Sequence, residues 1–277
     1  MNDSNETKSM AVFCDFENIA LGVKDANFAK FDIQKVLEKL LIKGTIIVKK
    51  AYCDWSRYRD FKSAMHEAAF ELIDIPHVRQ SGKNSADIRM VVDALDLCYT
   101  KSHVRTFVVI SGDSDFSPLV SKLRENNKVV IGVGVKNSSS DLLIANCDDF
   151  IFYDDLVRSD EESAPRTKRR SPARKTASTA KKESDPASDT DDRAGEGIGL
   201  VVNMVEELLS ERGTEGKLWG SMVKQTLKRR RPGFSESYYG FKSFNLLLEE
   251  AQRRELLTLE RDEKSGGYVI TSVAAAD

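Results

Sequence analysis

A chain of 277 residues, 40% hydrophobic and 31% charged with a formal net charge of −2, reads as a soluble globular protein of about two domains. No apolar core behind basic residues opens it, and no apolar run approaches the ~20 residues of a membrane span, so the expected setting is cytoplasmic, with no membrane partner. Cys14, Cys53, Cys98 and Cys147 are scattered without a Cys-x-x-Cys pair, which argues against zinc and for buried, reduced thiols.

In chain order, residues 1–9 are polar and expected to be disordered. Met10 to Cys14 form a short apolar strand ending at Asp15, followed by Phe16-Glu17-Asn18-Ile19. Asp32 starts a helix with Ile33, Val36, Leu37, Leu40 and Leu41 on one face, closed by Gly44. Thr45 to Tyr52 read as a second strand, Arg57 to Phe70 as a helix, and Leu72 to Ile75 as a third strand. A polar loop with Arg79 and Lys83 leads to Ser85, read as the cap of a helix through Ile88, Val91, Val92, Leu95 and Tyr99. Phe107 to Ile110 form a buried strand that stops at Ser111-Gly112-Asp113-Ser114-Asp115-Phe116. Ser117 and Pro118 then read as the N-cap and first residue of a helix to Glu125. A strand at Lys128 to Val133, a short helix at Asp141 to Ala145 and a strand at Asp149 to Tyr153 complete the pattern.

Strands alternating with helices predict an α/β fold over residues 8–157, a doubly wound parallel sheet with helices on both faces. From 158 to 197 apolar periodicity ends. Residues 166–182 carry eight Lys and Arg and no acid, and residues 183–192 carry five acids and no base, the composition of a disordered charged linker. Residues 198–272 predict a small α+β domain of three helices and a hairpin, the parts of a winged helix. Leu200, Val201, Met204, Val205, Leu208 and Leu209 make one face; Trp219, Met222, Val223 and Leu227 a second; Tyr239, Phe241, Phe244, Leu247, Leu248 and Ala251 a third. Lys224, Lys228, Arg229, Arg230 and Arg231, with Tyr239 and Lys242 just after, interleave cations and aromatics as nucleic-acid surfaces do.

In the α/β domain the acids carry the chemistry. A single Asp after a strand has an ordinary explanation as a cap or turn residue. Here Asp15 ends the first strand, Asp87 opens the helix after the third, and Asp113 and Asp115 follow the fourth. In a doubly wound sheet these ends share one edge and converge at the switch in strand order. Clustered carboxylates repel, and a divalent cation relieves the repulsion; oxygen-only donors select magnesium or manganese (Mg²⁺ or Mn²⁺). Such a cluster suits hydrolysis at phosphorus. Asn18 and Ser111 are supporting candidates, Arg79 and Lys83 are candidates to grip a nucleic-acid backbone, and Asp93, six residues past Asp87, is secondary, as are Glu17 and Asp141.

The segments Val12-Phe13-Cys14-Asp15-Phe16-Glu17-Asn18, Ser85-Ala86-Asp87 with Val91 to Leu95, and Ser111 to Phe116 resemble the NYN domain, and within it the LabA-like group of the PIN-like nuclease superfamily. The resemblance implies a PIN-like fold, a metal-dependent ribonuclease, RNA as substrate, and Asp15, Asp87, Asp113 and Asp115 as catalytic and metal-binding acids. A homodimer through this domain is also in keeping with it. Leu218-Trp219-Gly220-Ser221 and Gly266-Gly267-Tyr268 resemble the OST-HTH or LOTUS module, a winged helix that binds RNA. The rival to the nuclease is a non-catalytic RNA-binding regulator that keeps the fold. A Toprim-like enzyme would use Glu17 in place of Asp15, and a haloacid-dehalogenase phosphatase fits Asp15-Phe16-Glu17 poorly.

Overall fold

The computed structural model describes residues 9–76, 85–163, 186–212, 217–262 and 266–274. The chain divides into two compact units, the first of residues 1–159 with 231–233 and the second of 160–230 with 234–277.

In the first unit the strands are β1 (Ser9–Asp15), β2 (Thr45–Cys53), β3 (Glu71–Asp74), β4 (Thr106–Ile110), β5 (Val129–Gly134) and β6 (Asp149–Phe152). All pair in parallel in the order β3-β2-β1-β4-β5-β6. Strand order therefore reverses between β1 and β4, where Cys14 lies opposite Ile110. The helices are α1 (Phe16–Asp25), α2 (Ile33–Leu41), α3 (Arg59–Glu67), α4 (Ser85–Thr100), α5 (Ser117–Glu125), α6 (Asp141–Asn146) and α7 (Tyr153–Ser163).

The two-residue period of the strands builds a core on each face. Met10, Val12 and Cys14 pack with α1, α2 and α3 through Phe16, Ile33, Val36 and Met65. Ala11, Phe13, Phe107 and Val109 pack with α4, α5 and α6 through Met90, Ala94, Leu119 and Leu143. Both faces of β1 and β4 are covered, which is why these strands are apolar without alternation.

Three local expectations are corrected, and one element that the sequence left unassigned is present. A full helix, α1, follows β1 without a loop: Asp15 caps it by accepting from the Asn18 backbone N–H, and Phe16 anchors it. The face of α4 is turned. Its buried residues are Met90, Ala94 and Cys98, while Ile88, Val92 and Tyr99 are exposed, so the more obvious apolar stripe lies outside. Ser117 does not cap α5. A one-turn 3-10 helix, Ser114–Phe116, precedes it, and the Asp113 side chain caps that turn by accepting from the Asp115 N–H. Finally, the segment 158–197 is helical at both ends. Leu156 and Val157 pack on the core and draw α7 on to Ser163, while helix α8 (Pro186–Arg212) begins well before Ile198. The remainder of that segment, 164–185, lies outside the described residues.

The second unit contains α8, β7 (Leu218–Trp219), α9 (Gly220–Arg230), α10 (Phe244–Arg253), β8 (Leu257–Arg261) and β9 (Tyr268–Val273). The strands form an antiparallel sheet in the order β7-β9-β8. Trp219 thus sits in a strand and not on the second helix, because Leu218 and Trp219 pair with Ile270 and Val269. Val201, Val205, Val223, Leu227, Leu247, Leu248 and Ile270 close one core under the sheet.

Candidate active site

The carboxyl ends of β1 and β4 place the central groups side by side. Asp15 belongs to the same face of β1 as Ala11 and Phe13, and Ser111 continues the matching face of β4. The Ser111 hydroxyl donates to Asp15 Oδ2 at 3.0 Å, and its oxygen accepts from the Asp113 N–H at 3.2 Å. The Asn18 side-chain oxygen accepts from the Gly112 N–H at 2.8 Å. Ser111 thus ties Asp15 to the backbone of Asp113. Asn18 uses its oxygen to tie the start of α1 to the loop after β4.

The loop after β5 locks this arrangement. Ser140 N–H donates to the Gly112 carbonyl at 2.8 Å, and a Cβ on Gly112 would lie 2.4 Å from the Ser138 carbonyl oxygen. No flexible side chain can yield there, since the obstacle is backbone. Gly112→Ala is therefore expected to destabilise the fold by about 2 kcal/mol, in the range of core overpacking, read as a lowered urea midpoint.

Electrostatics single out two acids. Asp15 is buried, and its pKa is pushed up to about 7 by burial first, then by the Asp87 charge; hydrogen bonds from Asn18 and Ser111 oppose the shift. Asp87 rises to about 6, through burial and then the charges of Asp113, Asp115 and Glu17. These mutual effects show that Asp15, Asp87, Asp113 and Asp115 share one electrostatic neighbourhood. Glu17 belongs there too. It faces Asp87 electrostatically and forms an ion pair with Arg57 at 2.9 Å. The sequence offered Glu17 only as a secondary candidate, because the helix carrying it was not recognised. Among the described residues no group of three or more His, Cys, Asp and Glu converges as a ready-made cation cage.

Asp93 stands elsewhere. It accepts from Tyr52 Oη at 2.9 Å and Lys50 Nζ at 3.2 Å and pairs with Arg89. Burial alone would raise its pKa, but the hydrogen bonds from Tyr52 and Lys50 and the charges of Lys50 and Arg89 hold it below the ordinary value. Asp93 therefore braces α4 against β2. Asp141 opens α6 with an exposed side chain. Arg79 and Lys83 lie outside the described residues.

In the second unit the basic end of α9 is mixed in its bonding. Arg229, Arg230, Arg231 and Lys242 are exposed, with Arg230 paired to Glu207, whereas Lys224 pairs with Glu236 at 2.7 Å and Lys228 is half-buried. Tyr239 is a correction. It is buried, its ring lies 5.4 Å from that of Phe234, and it belongs to the core, so it offers no face to a ligand.

A six-stranded parallel sheet with carboxylates gathered at its switch point defines an α/β protein of the PIN-like type. Residues 9–155, more than half of the chain, match the family model described as the NYN domain, and the chain belongs to that family, whose fold is that of PIN-like nucleases. It is 25% identical over 138 residues to an uncharacterized protein of Methanocaldococcus jannaschii, covering 50% of this chain and 54% of that one. The chain thus spans about half the length of this curated relative. It is also similar to the crystal structure of a protein of unknown function from Vibrio parahaemolyticus, with a TM-score of 0.50 and 25% identity over 56% of this chain and 98% of that one. No helix among the described residues is long and apolar enough to cross a membrane.

Proposed function

We propose that this protein is a metal-dependent ribonuclease that cuts RNA internally at the β1–β4 crevice. The observation that carries the reading is the gathering of carboxylates at the β1–β4 switch, where Ser111 bonds Asp15 and the Asp113 backbone and burial and mutual charge raise the carboxyls of Asp15 and Asp87. Four carboxylates held against their own repulsion are a donor set that fits a hard divalent cation, Mg²⁺ or Mn²⁺. Asp15, Asp87, Asp113 and Asp115 are the residues that would hold it. When bound, such a cation lowers the pKa of a water and offsets charge on the leaving oxygen. The chain's own contribution is positional. Ser111 orients Asp15 and Asp113 together, and Asn18 keeps α1 from moving away from Gly112.

The second unit, with three helices and a three-stranded antiparallel sheet, is read here as a LOTUS-type winged helix that holds RNA through the exposed Arg229, Arg231 and Lys242. Tethering it to the crevice raises the effective RNA concentration there. The same reading includes a homodimer through the first unit, with the exposed stripe of Ile88, Val92 and Tyr99 as its surface.

The test is incubation of the full chain with labelled single-stranded RNA and Mn²⁺ or Mg²⁺, beside Asp113→Asn and a chelator control. Internal cleavage that needs the metal and disappears in the variant is the expected result. Equal RNA binding by both proteins with intact RNA throughout would overturn it and leave an RNA-binding regulator.

A further inference from the structure

Between α1, the connection from α1 to α2 and the start of α3 lies a cavity of about 410 Å³ that no step above uses. Its size lies within the range of small-molecule pockets. Three cations, Lys24, Lys30 and Arg57, and the rings of Phe28, Tyr58 and Phe61 line it, and no carboxylate does. Lys30 Nζ stands 4.7 Å from the centre of the Phe61 ring and is held by the Asp60 backbone carbonyl at 3.2 Å. The floor is firm. Tyr58 and Phe61 each pack edge-on against the buried Phe16 ring, at 5.5 and 5.0 Å, so the two rings are fixed to the residue that follows Asp15.

We propose that this cavity is a nucleotide-binding pocket that receives a base of single-stranded RNA flanking the scissile phosphate, with the neighbouring phosphates on Lys24, Lys30 and Arg57. The proposal rests on the nuclease reading and adds where the strand runs. The chemistry of the lining selects the occupant. Aromatic faces take a base of any identity by stacking, and cations at the rim take the backbone. The acids at the crevice repel a polyanion, so the strand must be drawn in by positive charge at its flank. The exposed lysines of this pocket sit there. Lys24 lies nine residues along α1 from Asp15, about 14 Å at the helical rise, a span that a short stretch of extended strand covers. The Arg57–Glu17 pair stands between pocket and acids, joining the two sites.

The test uses the full chain in the Asp113→Asn background, which keeps RNA whole, and a short oligonucleotide bearing 4-thiouridine for photo-cross-linking. Cross-links are expected at residues 57–61 and should vanish in Lys24→Glu/Lys30→Glu, two changes at exposed side chains that leave the Phe16 packing intact. In the otherwise wild-type enzyme the same double change is expected to raise KM about tenfold with kcat within twofold, and to flatten the salt dependence of binding. Cross-links mapping only elsewhere, or a KM within twofold of wild type, would overturn the pocket while cleavage lost in Asp113→Asn keeps the nuclease. Cross-links at 57–61 without any cleavage would keep the pocket and remove the nuclease.

Discussion

Replacing Asp15 by Asn is expected to lower the proposed metal-dependent RNA cleavage by about 10³-fold or more, and at the same time to stabilise the protein at pH 8. The first effect follows from removing a charge from the crevice. The second follows from linkage. The folded-state pKa of Asp15 is about 7 against 3.8 for the ordinary side chain, so the folded protein binds a proton that the unfolded chain has lost. Stability from this group is fully present below pH 3.8 and is lost as pH rises through about 7. Between pH 5 and pH 8 the loss is about 3 kcal/mol, at 1.36 kcal/mol per pKa unit. Asparagine carries no such charge and keeps one oxygen, which can cap α1 by accepting from the Asn18 N–H, while the hydrogen bond from Ser111 to the second carboxylate oxygen is given up. Urea denaturation in the presence of a chelator reads the difference. The wild type should weaken from pH 5 to pH 8, with a smaller share from Asp87, and Asp15→Asn should be much flatter. A variant that weakens as steeply as the wild type would show that the charge on Asp15 is not what burial opposes.

Phe16→Ala is expected to cost 3–5 kcal/mol, the range for removing a buried aromatic ring. Phe16 is fully buried, with Phe31, Trp55, Tyr58 and Phe61 at ring-centre distances of 6.0, 4.9, 5.5 and 5.0 Å. Aromatic pairs contribute beyond the area they bury, so a single truncation loses several contacts at once. The position also couples stability to the site, since Phe16 is the first residue of α1 and lies between Asp15 and Asn18. The check is the urea midpoint of Phe16→Ala beside Phe16→Leu, which fills most of the volume and should lose less than half as much.

The sheet was legible because β1 and β4 are buried on both faces and carry unbroken apolar runs bounded by turn residues. The acids at their ends were legible for the same reason, since a strand that stops at Asp15 or Ile110 fixes where the next side chain must stand. Helix α1 was not. It starts with no loop, its cap is a site acid, and its ten residues include Glu17, Asn18 and Gly22 among the apolar ones. Missing it left Glu17 a secondary candidate and concealed the wall of the aromatic pocket. On α4, apolar residues occur on two faces, and periodicity cannot say which one the sheet takes; small Ala94 and Cys98 pack inward while Ile88 and Val92 remain outside. Asp93 and Tyr239 had the composition of site residues, but a core partner claimed each: Tyr52 with Lys50 for the first, and Phe234 for the second. The partners of Asp93 come from a distant part of the chain and leave no local trace, whereas Phe234 lies close to Tyr239 in a turn whose packing no helical or strand period reveals.

The double duty of Asp15 and Asp113 bears on how the family can diverge. Each caps a helical start, α1 for Asp15 and the 3-10 turn before α5 for Asp113, so the fold itself favours Asp, Asn or Ser at both positions. A lineage that gave up the chemistry would still be selected to keep a capping side chain there. Asp87 has no comparable hold, because its carboxylate is disfavoured at neutral pH by burial and by its neighbours. Released from function, it would be replaced by neutral residues with a gain in stability. Drift at position 87, with a capping Asp, Asn or Ser kept at 15 and 113, is thus the signature by which relatives that lack the proposed chemistry would be recognised.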